Sequence, residues 1–140
     1  RLYKGKNMSS KPIVLIIDDE RIVRDTLDAL LSEDYQLHFA ENGMEGLTLA
    51  MQTEPDVILL DVMMPGEIDG LEACRRLKSD PRFLGTHVVM LSARGAAMDL
   101  ERGNEAGADA YLVKPFSPLQ LIQVIENLGA TPARSIFAAL

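Results

Sequence analysis

One cysteine, no apolar run of membrane length and a deficit of positive charge are the first absences in this chain. The lone thiol, Cys74, excludes an internal disulfide. It stands in a helical pattern with Leu71 and Leu77, which reads as a packed core position, and no CxxC or nearby histidine gives it a redox or nucleophilic role. No stretch approaches the ~18 apolar residues of a membrane span, and Arg1–Lys6 is not followed by the apolar segment and cleavage site of a signal peptide. A cytoplasmic location is therefore the expectation. Fourteen Lys and Arg against 21 Asp and Glu give a net charge of -7. That balance argues against direct nucleic-acid binding by this domain, which would call for a basic face. No glycine-rich phosphate loop follows the first apolar run, which disfavours a nucleotide or flavin binder. Internal repeats and low-complexity segments are also missing.

What is present suits one globular domain. The 140 residues, 47% hydrophobic and 25% charged, are enough to bury a core without staples. Residues 11–129 carry the alternating pattern of a single domain, 1–10 read as an N-terminal tail, and 130–140 as a C-terminal tail or the start of a linker. Arg1–Asn7 are compatible with an expression remnant, and Met8 with a natural start.

Strand-like and helix-like patterns alternate five times. Ile13-Val14-Leu15-Ile16-Ile17 is a continuous β-branched and aliphatic run, as expected for a strand buried on both faces of a parallel sheet. Val23, Leu27, Leu30 and Leu31 follow at helical spacing. Gln36–Ala40 alternates, and 43–52 reads as a short helix broken before Pro55. Val57–Leu60, Val88–Leu91 and Ala110–Val113 read as further strands. Helices are expected over 71–78, 98–106 and from Pro118 onward, the last with Ser117 as its N-cap and proline at its first position. Repeated strand-then-helix units imply a parallel sheet covered by helices on both faces.

The acidic residues fall at strand ends. Asp18-Asp19 follows the first strand and Asp61 the third. Open α/β sheets bind ligands beyond the carboxyl ends of their strands, where the strand order reverses. Carboxylates gathered there repel: two charges about 4 Å apart cost roughly 4 kcal/mol at an effective dielectric near 20. A hard divalent cation relieves this, and Mg²⁺ favours a few carboxylates together with water and phosphate oxygens. A single aspartate at a strand end would more often be a cap, and Asp19 is placed to cap a helix beginning near Glu20. Three acids at two strand ends favour a metal site. Ser92 and Lys114 end the fourth and fifth strands, adding a hydroxyl donor and a point charge suited to phosphate.

With these pieces in place the chain resembles the bacterial response-regulator receiver family, CheY-like in type. The matching residues are Asp18-Asp19, Asp61-Val62-Met63-Met64-Pro65-Gly66, Asp69-Gly70, Leu91-Ser92-Ala93 and Tyr111-Leu112-Val113-Lys114-Pro115-Phe116. The resemblance implies a flavodoxin-like (βα)5 fold with strand order 2-1-3-4-5. It implies that Asp61 is the phosphoacceptor, supplied by a histidine kinase or phosphotransfer protein. Asp19, Asp61 and the backbone carbonyl of Met63 are then the direct ligands of Mg²⁺ or Mn²⁺, with Asp18 acting largely through water. Lys114 pairs with the aspartate and then with the phosphoryl group, Ser92 bonds a phosphoryl oxygen, and Tyr111 is the switch aromatic. A cis Lys114–Pro115 bond also belongs to the pattern. Such a domain catalyses only its own phosphorylation and dephosphorylation.

One departure concerns the loop after Pro65-Gly66, which Glu67-Ile68 make one residue longer than usual and whose shape is therefore open. Met63 and Arg94 stand at the family's variable positions beside the site. The small residues of 92–110 suggest a two-state segment. The face built from the fourth helix, fifth strand and fifth helix is the expected output surface, for a downstream protein, a fused output domain or a second copy. Two rival readings are a receiver-like interaction module that is never phosphorylated and an aspartyl-phosphate phosphatase. The first should lose an acid or the lysine, and the second needs an Asp where Met63 stands.

Overall fold

The structure is a computed structural model that describes residues 11–93 and 97–129, with the side chains of 97–100 excepted. The expectations for the two tails and for Arg94 lie outside the described residues. The elements in chain order are β1 (Ile13–Ile17), α1 (Arg21–Leu31), β2 (Gln36–Ala40), α2 (Gly43–Thr53), β3 (Val57–Asp61), α3 (Gly70–Ser79), a 3₁₀ turn (Pro81–Phe83), β4 (His87–Ser92), α4 (Ala97–Ala106), β5 (Ala110–Val113) and α5 (Pro118–Asn127). The five strands form one sheet in the order β2-β1-β3-β4-β5, as the resemblance implies. Every neighbouring pair is parallel.

Side-chain alternation divides the core into two layers. Leu15, Ile17, Ile58, Leu60, Val88 and Met90 face α2, α3 and the end of α4. Val14, Ile16, Val57, Leu59, Val89 and Leu91 face the other way, onto Leu27 and Leu31 of α1 and Leu121 and Ile125 of α5. The central strands are sealed on both sides, which explains why their sequences read as unbroken apolar runs.

Local chemistry fixes the helix starts. Asn42 and Asp69 cap α2 and α3 by accepting the backbone N–H of Glu45 and Glu72. Ser117 and Gln120 form a full capping box at α5, with Pro118 at its first turn. The 3₁₀ turn, which the helical spacing did not predict, is nucleated by Pro81 and capped by Asp80.

Two carboxylates lock the amino end of the sheet. Asp56 accepts the N–H of Ile13 at 2.8 Å. Asp109 accepts the N–H of Val88 at 2.7 Å and the Lys78 ammonium at 2.9 Å. The longer loop after Pro65 is also anchored. Ile68 is buried, and its Cγ1 lies 2.6 Å from where a Cβ on Gly43 would sit. The glycine at the start of α2 thus makes the notch that receives Ile68.

Candidate functional site

Because the strands are parallel, β1, β3, β4 and β5 all deliver their last residues to one edge. Asp61 and Ser92 are the final residues of β3 and β4, one position earlier relative to the strands than the sequence pattern suggested, and Lys114 directly follows β5. Asp18, Asp61 and Ser92 are buried and polar, whereas Asp19 is exposed. Gly70 allows this packing. Its Cα lies against the carbonyl of Asp61, where any side chain would collide with backbone, and its N–H donates to the carbonyl of Val62 at 3.1 Å.

Asp18 is fully enclosed. One carboxylate oxygen accepts the N–H of Glu20 at 2.8 Å, and the other accepts the Lys114 ammonium at 2.7 Å. Its backbone carbonyl takes a hydrogen bond from Arg24 at 2.7 Å. Asp19 makes no helix cap: the N-cap of α1 is Glu20, which has no capping side-chain bond. Asp61 accepts the N–H of Met63 at 3.2 Å and faces Lys114 Nζ at 3.6 Å. Lys114 therefore sits nearer to Asp18, and to Glu20 at 3.2 Å, than to Asp61. The N–H of Lys114 donates to the carbonyl of Ser92 at 2.6 Å, and the Lys114–Pro115 bond is cis.

These distances produce a strong field. Burial, followed by the charge of Asp18, pushes the Asp61 carboxyl up to about 7, against the pull of Lys114 and the Met63 N–H. Burial acts to lower the Lys114 ammonium, but the bond to Asp18 and the charges of Asp61 and Asp18 outweigh it and hold the group above its usual value. Asp61 carries the penalty of the cluster while Lys114 stays charged.

Carboxylate oxygens of Asp18, Asp19 and Asp61 lie within 4.8 Å of one another. An all-oxygen set that leaves one acid reluctant to ionise fits a hard divalent cation with open coordination positions. The structure brings Asp18, Asp19, Asp61 and Lys114 together in one cluster, with Ser92 on the adjoining strand end. Tyr111 is separate from it: the ring is half-buried against α4. Glu20 and Arg24 were missed. Their only signal is position: Glu20 directly follows Asp18-Asp19 as the N-cap of α1, and Arg24 lies one turn into that helix.

Comparison with known proteins agrees with this arrangement. The response regulator receiver domain family model matches residues 14–126. The chain is 40% identical over 116 residues to the transcriptional regulatory protein ResD of Bacillus subtilis, covering 82% of this chain and 47% of that protein. It is 42% identical over 110 residues to the response regulator MprA of a Mycobacterium species, covering 78% and 46%. The chain thus spans about half the length of these curated relatives. Among solved structures, a putative response regulator from Chloroflexus aurantiacus superposes with a TM-score of 0.82 at 34% identity, covering 87% of this chain and all of that one. With a family model over most of its length and relatives of this identity, the chain belongs to the response regulator receiver domain family.

Proposed function

We propose that Asp61 is reversibly phosphorylated, with phosphohistidine on a kinase or phosphotransfer protein as the donor, and that the phosphoryl group changes what the domain binds. The observation that carries this is the carboxylate of Asp61, partly freed from Lys114 and grouped with Asp18 and Asp19 within 4.8 Å. Asp18, Asp19, Asp61 and the carbonyl of Met63 would hold Mg²⁺ or Mn²⁺. When bound, the cation supplies charge neutralisation for the carboxylates and for the phosphoryl oxygens.

The chain's own residues do the rest. A carboxylate oxygen of Asp61 attacks phosphorus, and the bond from phosphorus to the donor's imidazole nitrogen breaks with its electron pair going to that nitrogen. A loose transition state of this kind needs alignment and charge compensation more than proton transfer. Lys114 is already charged beside Asp61 and moves from Asp18 and Glu20 to the phosphoryl oxygens. The hydroxyl of Ser92 donates to another of those oxygens. Tyr111 follows through the packing between β5 and α4. The output is a downstream protein or a domain joined to this one. Relatives named as transcriptional regulators, of which the chain spans about half, favour the second. No described helix is long and apolar enough to cross a membrane.

The test is incubation with acetyl phosphate and Mg²⁺, followed by intact mass, beside an Asp61→Asn control. The expected result is a base-labile gain of one phosphoryl group that needs the metal and is absent in the control. A gain of equal size in Asp61→Asn would move the acceptor elsewhere.

A further inference from the structure

Tyr111 rests over a helix position that has no side chain. A Cβ built on Gly103 of α4 would run into the Tyr111 hydroxyl and the adjoining ring carbons. Gly103 is buried in mid-helix and Tyr111 is half-buried above it, packed against the layer that contains Met90, Cys74 and Ala106. Glycine inside a helix is less favourable than alanine. Gly103 has no left-handed backbone conformation that would call for glycine. Its lack of a side chain therefore has another physical use, and the contact above it is the tyrosine.

We propose that Gly103 is a positioning residue: it is the seat on which the Tyr111 ring lies, and the identity of residue 103 sets how far Tyr111 occupies this place against α4. The consequence for signalling rests on Tyr111 being the switch aromatic, but the seat itself does not. The atoms in the way are the far end of a flexible side chain, so a methyl group at 103 should displace the ring and leave the fold standing. Burial raises the Tyr111 phenol in its seat, and displacement should bring it back down.

The experiment is a double-mutant cycle on the metal-free, unphosphorylated protein, using Gly103→Ala, Tyr111→Ala and both together. Gly103→Ala alone should lower the melting temperature or leave it unchanged. In the Tyr111→Ala background the same substitution should raise it by about 3 °C, because only the helix preference of alanine remains. Ring resonances of Tyr111, assigned by their loss in Tyr111→Phe, should shift toward solvent-exposed values in Gly103→Ala, and the phenol should titrate at lower pH. If Gly103→Ala does not fold but the double variant does, the seat is supported. An equal shift in both backgrounds, failure of both to fold, or an unmoved Tyr111 ring would overturn it. None of these readings uses phosphate, so they stand apart from the acetyl phosphate test. If that test succeeds while the cycle shows no coupling, phosphorylation survives and the seat does not.

Discussion

The two ends of the sheet use the same residue type in opposite ways. At the amino end, Asp56 and Asp109 each complete a backbone N–H that a strand edge leaves open, and Lys78 adds a second bond to Asp109. At the carboxyl end, Asp18, Asp19 and Asp61 crowd together, and Lys114 spreads one positive charge over Asp18, Glu20 and Asp61. Carboxylates at one end satisfy the backbone. Those at the other are in surplus, and surplus charge held in a buried place is what a binding site is made of. The two ends differ in how charge is shared: Asp109 has the Lys78 ammonium within 2.9 Å, whereas Asp18 and Asp61 both face the single ammonium of Lys114.

Substitutions at the two ends should therefore change stability in opposite directions. The largest effect is expected for Asp61→Asn. The folded-state Asp61 titrates near 7, above the ordinary 3.8, so the native state holds a proton that the unfolded chain has already released. The destabilisation is absent below about pH 4, grows as pH rises toward 7 and is complete above it. Urea unfolding in metal-free buffer should show Asp61→Asn more stable than the parent by about 2–4 kcal/mol at pH 8. The gap should close as the pH falls to 4 and narrow on adding Mg²⁺. A gap independent of pH would break the contrast. Asp109→Ala should do the reverse, destabilising by about 2 kcal/mol because the Val88 N–H and the Lys78 ammonium lose their shared acceptor, while phosphoryl uptake from acetyl phosphate stays intact. Ser117→Ala removes one half of the α5 capping box and should cost about 1 kcal/mol in the same unfolding assay. The smallest effect belongs to Glu20→Gln. Glu20 is well exposed, so stability should change by less than about 0.5 kcal/mol. Its loss should still draw Lys114 toward Asp61, seen as a shift of the lysine ammonium resonances.

Much of this was legible in advance because the governing signals are local. The apolar runs of β1 and β3, the Ser117-Pro118 start of α5 and the strand-end acids all follow from residues a few positions apart. What stayed hidden depends on distance in sequence. Asp56 reaches a residue 43 positions away, and Asp109 one 21 positions away. Sequence reading could place Lys114 at the site, but its preference for Asp18 over Asp61 is a matter of ångströms set by packing. The longer loop after Pro65 looked uncertain because nothing nearby in sequence offers Ile68 a place. The notch at Gly43 supplies it. The Pro81–Phe83 turn is too short to leave a periodic trace.

Lys114 and Asp18 are 96 residues apart, and the strand that delivers the lysine, β5, is at the edge of the sheet and last to be synthesised. Lys114 is therefore the last side chain of this cluster to be added to the chain. A chain cut short before β5 has the three aspartates but not the lysine that faces two of them. A domain lacking β5 would keep the repulsion among Asp18, Asp19 and Asp61 with no lysine of its own to offset it, so completing the sheet is also what makes the cluster tolerable.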